Sequence, residues 1–232
     1  SLIYLPSLLE IKNAYLELPI ASLIVTTILI TLLAAGIAIG TPPLLFVAFP
    51  GQNSIRIQSI FWVFFRLIPP PLTAIIIIFF TSPNVSVAAL SLGITNMGVM
   101  GRLLTDSLFN QNKNIYVAMK NTGSNEQAAT LYGILSPKST SYLAYASYRT
   151  DVILRETAIV GAVGGVGLGW QLQESLSSFD WSQVIVITSV FAILTITGEF
   201  LCDISRKYWL RATSTNSLTL STSNVESKII RL

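Results

Sequence analysis

Apolar residues run along this chain in long blocks, with neither strand-like alternation nor a one-sided helical stripe. Charge is missing over 38 residues between Glu17 and Arg56 and over 35 between Arg66 and Arg102. Two shorter gaps follow, 17 residues between Glu156 and Glu174 and 18 between Asp180 and Glu199. A membrane-crossing helix needs about 20 apolar residues, so each long gap holds more than one span, or a span plus a loop. Breakers divide them. The first span is expected from about Ile20 to Gly40, stopping at Thr41-Pro42-Pro43, because proline lacks an N–H and restricts the residue before it. A second runs from about Ser59 to Phe80, with Pro69-Pro70-Pro71 kinking it or splitting it in two. Thr81-Ser82-Pro83-Asn84 reads as a tight turn. A third covers about Val85 to Leu108, a fourth Ser141 to Val163 and a fifth Ser182 to Asp203. The pattern predicts an all-α, polytopic membrane protein of about five spans. A soluble helical bundle would need a polar face on each helix, and these helices have none.

Composition agrees. Of 232 residues, 52% are hydrophobic and only 11% charged, against about 25% charged in ordinary soluble domains. The formal net charge is +3, too sparse for a surface that tracks phosphates along a nucleic acid. With no histidine and one cysteine, Cys202, the chain has no Cys/His zinc site, intrachain disulfide or histidine-based triad. No metal or cofactor is expected. Cys202 reads as a small apolar residue.

Basic residues favour the cytoplasmic side. Alternating the connections puts Arg56, Lys113, Lys120, Lys138, Arg206, Lys207 and Arg211 on one side and only Lys12 on the other. The Asn110–Thr140 loop and the C-terminus are thus expected in the cytoplasm, and residues 1–19, a mildly amphipathic lead-in, outside. Because residue 1 is serine, the chain is expected to be processed or a piece of a longer protein, with a further span preceding it. Ala212–Leu232 is rich in Ser and Thr and reads as a flexible, solvated tail.

The loop between the third and fourth spans carries a helix–turn–helix pattern. A first piece, about Lys113 to Asn121, ends at Gly123, a common residue after a helix C-terminus. Ser124 and Gln127 have capping-box spacing. Ala128, Leu131, Tyr132 and Leu135 then recur at i, i+3, i+4 and i+7, and Pro137 is expected to end the helix. Such an amphipathic piece either lies on its own membrane or docks into a partner's groove.

At these residues the chain resembles the inner-membrane permease subunit of ABC importers, most closely the phosphonate/phosphite-type branch. In that family the loop begins Glu-Ala-Ala, has a glycine four residues after the second alanine, ends near Leu-Pro and docks onto the ATPase. Ala118, Gly123 and Leu135 match; Val117, Met119 and Ser136 depart, and the proline comes one place late at Pro137. Tyr148-Arg149-Thr150-Asp151, Arg155 and Val163-Gly164-Gly165-Val166-Gly167-Leu168-Gly169 closely resemble the branch's pattern after the loop. Ala89-Leu90-Ser91-Leu92-Gly93-Ile94 and Gly98-Val99-Met100-Gly101 resemble its third span. The resemblance covers roughly residues 17–211, and the family's additional first span is absent from this stretch. It implies a transport permease and no enzyme, paired with a second copy in a homodimer in the bacterial inner membrane. A separate ATPase would engage the loop through Ala118, Met119, Gly123, Ser124, Leu131 and Leu135, and an extracytoplasmic binding protein would deliver phosphonate or phosphite. The chain has no Gly-x4-Gly-Lys-Ser/Thr sequence of its own.

Arg149, Asp151, Arg155 and Glu156 fall on a helix that must enter the membrane, where a central charge costs about 2.5–3.5 kcal/mol on insertion scales. Asp151 with Arg155, and Arg149 with Glu156, share helix faces and are expected to pair; they either fix packing or line a translocation path. Glu199 is expected to snorkel or to pair with Arg206 or another basic residue. Gly161, Gly165 and Gly169, like Gly36 and Gly40, have the four-residue spacing that lets membrane helices approach closely. Beyond the importer reading, two others stand: a permease for another small solute, and a non-transporting structural subunit of a membrane complex.

Overall fold

The computed structural model describes residues 6–109 and 114–229, with the backbone alone at residues 52, 53, 109 and 210–229. The first residues of the lead-in, the start of the loop including Lys113, and residues 230–232 lie outside the described residues. Helices account for nearly all of it, and there is no strand among the described residues. Helix α1 (Leu8–Glu17) opens with a capping box, in which Ser7 Oγ accepts from the Glu10 N–H and Glu10 Oε2 accepts from the Ser7 N–H.

The first span, α2 (Ile20–Ala48), does not stop at Thr41-Pro42-Pro43 but carries both prolines inside it. Each proline leaves one carbonyl four residues back without its helical donor. For Pro43 that carbonyl is Ile39, and the Tyr142 hydroxyl donates to it at 2.7 Å from another helix. Thr41 Oγ1 also donates back to Ile37 O at 2.6 Å. With the freed carbonyl satisfied from outside, the helix can run on to Ala48 in a medium that offers no water.

Two helices fill the second span, α3 (Gln52–Leu67) and α4 (Pro70–Ile78), broken at Ile68-Pro69 and bent by 85°. The proline run thus splits the span as expected. Asn84 caps α5 (Val85–Phe109), its side chain accepting from the Val87 N–H at 3.0 Å. The loop holds α6 (Asn114–Asn121) and α7 (Glu126–Thr130). A π turn over Leu131–Leu135 and a 3-10 turn over Ser136–Lys138 lead without a gap into α8 (Ser139–Gly164). Pro137 therefore does not end the helical run. It sits at the start of the 3-10 turn, where its missing N–H is not needed.

After α8 comes a short helix where the hydropathy pattern predicts only a connection, α9 (Gly167–Ser177), turned by 56° from α8. The last helix, α10, runs from Trp181 to Ile229. Its backbone stays helical through the Ser/Thr-rich stretch expected to be a flexible tail. Neither Gly nor Pro occurs after Gly198, and Ser and Thr only weaken a helix by a few tenths of a kcal/mol each.

Three helices are long and apolar enough to cross a membrane, Ile20–Ala48, Val85–Leu108 and Trp181–Trp209, and there are five spans when each bent pair counts as one. Helix α5 is the central one: 72% of its apolar window is buried, against 11% for α10. Ile30, Ala34, Ala38, Ala88, Leu92 and Ile153 bring α2, α5 and α8 together in the core. Small residues on α5 let α3 come in close. A Cβ on Gly98 would lie 2.8 Å from the Trp62 carbonyl oxygen, and one on Gly101 would collide with the fully buried Trp62 ring.

The Tyr142–Ile39 bond should matter for stability. Tyr142→Phe keeps the ring but strips the donor from a carbonyl that Pro43 cannot satisfy. Thermal unfolding of the detergent-purified protein should register a loss of about 1–3 kcal/mol. An unchanged midpoint would mean that the carbonyl is satisfied some other way.

Candidate functional site

Two groups of polar residues stand out, one among the spans and one on the loop. On α8, residues 149 and 156 face α5, and residues 151 and 155 face α10. Asn96, fully buried on α5, bridges the first pair. Its Nδ2 donates to Glu156 Oε2 and to Leu92 O, both at 2.8 Å, and its Oδ1 accepts from Arg149 Nε. Arg149 Nη2 also lies 3.5 Å from Glu156 Oε1. The expected pair forms, with an amide from a neighbouring helix completing it. Asn96 escaped the sequence reading because it is uncharged, although an amide within an apolar span is itself a signal of a buried partner.

The second pair also forms. Arg155 Nη2 sits 2.9 Å from Asp151 Oδ2 and 3.1 Å from Glu199 Oε2, so one guanidinium joins α8 to α10. Glu199 thus pairs with Arg155, while Arg206 takes Asp203 at 2.7 Å. Asp151 is only 6% exposed, and its second oxygen is buried without a hydrogen-bond partner. This group opens on a cavity of about 250 Å³ that Cys202 also lines.

The glycines divide. Gly161 and Gly169 lie at the crossing of α8 and α9, where a Cβ on Gly161 would sit 3.5 Å from Gly169 Cα and 2.8 Å from Val166 O. Gly165 serves the turn between them, with φ +69° at the end of α8. A Cβ placed on Gly36 or Gly40 would meet nothing within 4 Å, so their spacing marks no close approach.

On the loop, Gly123 has φ +84° and reverses the chain after α6. The Ser124 N–H reaches Met119 O and the Gly123 N–H reaches Lys120 O, both at 3.1 Å, closing the helix end. The capping box of Ser124 with Gln127 does not form. Asn125 occupies the N-cap position, with no side-chain bond. Instead, Lys120 reaches Glu126 at 3.8 Å and Tyr116 Oη donates to it at 3.4 Å, so α6 holds the start of α7.

The expected stripe is also displaced. Ala129, Thr130, Gly133, Ile134 and Leu135 turn inward, one position round from the expected face, while Leu131 and Tyr132 are exposed. Ile134 and Leu135 pack with Phe46, Leu104 and Leu108. Gly133 lets α6 lie on this turn, where a Cβ would come within 2.9 Å of Tyr116 Cα. Ala118 is exposed and Met119 half-buried. The loop is therefore anchored through one face and leaves Ile115, Val117, Leu131 and Tyr132 exposed, the last two at an apolar cavity beside α2.

No protein-family model matches the chain. Over 206 residues, 86% of the chain, it is 25% identical to the phosphate-import permease protein PhnE of Mycolicibacterium smegmatis, of which it spans 38%. Over 144 residues, 62% of the chain, it is 22% identical to the phosphite transport system permease protein PtxC of Stutzerimonas stutzeri, of which it spans 52%. The chain thus spans about half or less of the length of these relatives. Among solved structures, an amino acid ABC transporter with histidines superposes with a TM-score of 0.67 at 20% identity, over 88% of this chain and 100% of that one. The fold is that of a multi-pass ABC importer permease, and the resemblance drawn from the α5 and α8 motifs is borne out.

The bridge between α5 and α8 makes a specific prediction. Arg149→Ala leaves Glu156 charged in a low-dielectric place with only an amide donor, and should cost about 3–5 kcal/mol. Adding Glu156→Gln should recover much of that loss, as read by thermal unfolding in detergent. Equal loss in the single and double variants would mean that the two side chains act independently.

Proposed function

We propose that this chain is the membrane-spanning subunit of an ATP-driven importer for phosphonate or phosphite in the bacterial inner membrane. It works as a pair with a second copy, takes its anion from an extracytoplasmic binding protein and couples to a separate ATPase. The observation that carries this reading is the loop. Between the third and fourth spans, a helix–turn–helix is fastened to the core by Ile134 and Leu135 and leaves four apolar side chains exposed. A solvated loop gains nothing from that arrangement, whereas a groove on a partner would bury it. The kinship with phosphate- and phosphite-import permeases supports the substrate class.

In this reading the membrane-spanning unit covers residues 20–211, and the loop and the C-terminus face the cytoplasm, as the basic residues favour. Ala118, Met119, Leu131 and the exposed Tyr132 meet the ATPase. Gly123 and Ser124 shape the turn, and Leu135 anchors it from inside. Helix α7, the two tight turns and α8 form one helical run from Glu126 to Gly164. A push on the loop is therefore delivered along α8 to Arg149 and Asp151, with no flexible joint between. Gly161 and Gly169 let α9 lie tightly on the far end of the same rod.

Two variants test the coupling. Leu131→Asp places a charge on an exposed residue at the mouth of an apolar cavity that Leu104 and Leu135 also line, outside the spans themselves, so the protein should still insert. Its retention of the ATPase on co-purification should drop about tenfold, which corresponds to 1.4 kcal/mol. Gly123→Val imposes a β-branched residue on a positive φ and should weaken the same association. Full retention of the ATPase by Leu131→Asp would show that this face is not the docking surface and would favour a structural subunit.

A further inference from the structure

A second polar cavity, of about 490 Å³, opens between α3, α5 and α8. Arg66, Arg102 and Arg149 line it, one from each helix, with Asp106 and Glu156. We propose that it is a binding site for a tetrahedral oxyanion, with Arg66 as the residue that depends on the ligand for its counter-charge. The proposal rests on the importer reading only for which oxyanion arrives.

The charges in the cavity do not cancel. Three guanidinium groups face two carboxylates. Asp106 is engaged by Arg102, whose Nε lies 3.1 Å away. Glu156 is engaged by Arg149 and Asn96. Arg66 has neither an ion pair nor a side-chain hydrogen bond among the described residues. It stands at the last turn of α3, just before the break in a segment otherwise free of charge as far as Arg102. Arg66 is exposed, so a ligand in the cavity can reach it, and an arginine within a membrane segment marks a functional site.

The backbone fixes the cluster. At Gly98 the two helices nearly touch, since a Cβ there would lie 2.7 Å from Arg66 N. Arg102 is one turn further along α5, where it bonds Ser59 beside the Trp62 contact, so Arg66 and Arg102 stand about one turn apart on the same pair of helices. Arg102 spends Nε on Asp106 and Nη1 on Ser59 Oγ, and Arg149 spends Nε on Asn96 and Nη2 on Glu156. One Nη group on each remains for a ligand, beside the whole fork of Arg66. Guanidinium groups grip the oxygens of an anion through paired N–H donors, which a cation could not use, and a tetrahedral oxyanion has enough oxygens to meet donors from more than one arginine. Thr95 and Tyr145 add hydroxyls to the wall.

The same chemistry fits a free phosphite or phosphonate and the phosphate of a lipid headgroup. The test therefore has two arms, both on the full chain in nanodiscs. In the first, made with phosphatidylcholine alone and without a binding protein or nucleotide, inorganic phosphite and methylphosphonate are titrated by calorimetry. Binding should appear, fall at least tenfold in Arg66→Gln, survive largely in Arg66→Lys and be untouched by Arg56→Gln. In the second, phospholipid retained after purification is counted by mass spectrometry. An anionic lipid held by the wild type and released by Arg66→Gln would assign the site to a headgroup and support the same oxyanion chemistry. Because Arg66 has no protein partner to lose, Arg66→Gln should fold, and size-exclusion chromatography verifies this. Equal phosphite affinity in the wild type and Arg66→Gln, or no binding together with no Arg66-dependent lipid, would overturn the proposal. Failed uptake with Arg66-dependent binding intact would fault the transport reading alone. Uptake with Arg66-independent binding would fault this site alone.

Discussion

Lipid supplies neither hydrogen-bond donors nor counter-charges, so every polar group in the spans must find its partner inside the protein. The bridge of Arg149, Asn96 and Glu156 is where this constraint shapes the fold most. It ties the most buried helix, α5, to the helix that continues from the loop. Arg155 does the same between α8 and α10 through Asp151 and Glu199. Tyr142 does it for a bare backbone carbonyl, and so lets α2 pass two prolines. Helix α8 provides a side chain to each of these links. It links α2, α5 and α10, and in the importer reading it is also the member that the loop would move.

That arrangement gives the importer reading its physical content. The loop is neither a floating segment nor a surface patch, since its inward face belongs to the same apolar cluster as Phe46 and Leu104. Four of its apolar side chains stay exposed. Force applied there has a stiff route into the membrane. The route ends among the charges on α8, beside the cavity that Arg66 and Arg102 also face.

Much of this was legible from the residues. The gaps between charges located the spans, the proline triplet located the break between α3 and α4, and seven-residue and four-residue spacings paired the α8 charges correctly. What failed did so for local physical reasons. Pro42 and Pro43 read as a stop because the tyrosine that rescues the Ile39 carbonyl is 103 residues away in sequence. The apolar stripe was read on the bulkiest residues, whereas the face that packs carries the small Ala129, Thr130 and Gly133 and leaves Leu131 and Tyr132 exposed. Ser124 had the spacing for a cap, but a closed turn at Gly123 moved the N-cap to Asn125. Helix α9 was hidden because its glycines serve close packing rather than a loop. The sequence assigned no role to Arg66 or Arg102, because the contact at Gly98 that brings their helices together joins residues 32 positions apart.

Uptake by a rebuilt transporter tests the central claim most directly. The permease, with the ATPase and binding protein that the importer reading assigns to it, is placed in proteoliposomes with ATP at the ATPase side, and labelled phosphite or methylphosphonate is supplied at the other. The account predicts ATP-dependent accumulation of at least one of these anions, competed by the unlabelled form and not by an amino acid. A correctly assembled complex that hydrolyses ATP yet accumulates neither anion would contradict it.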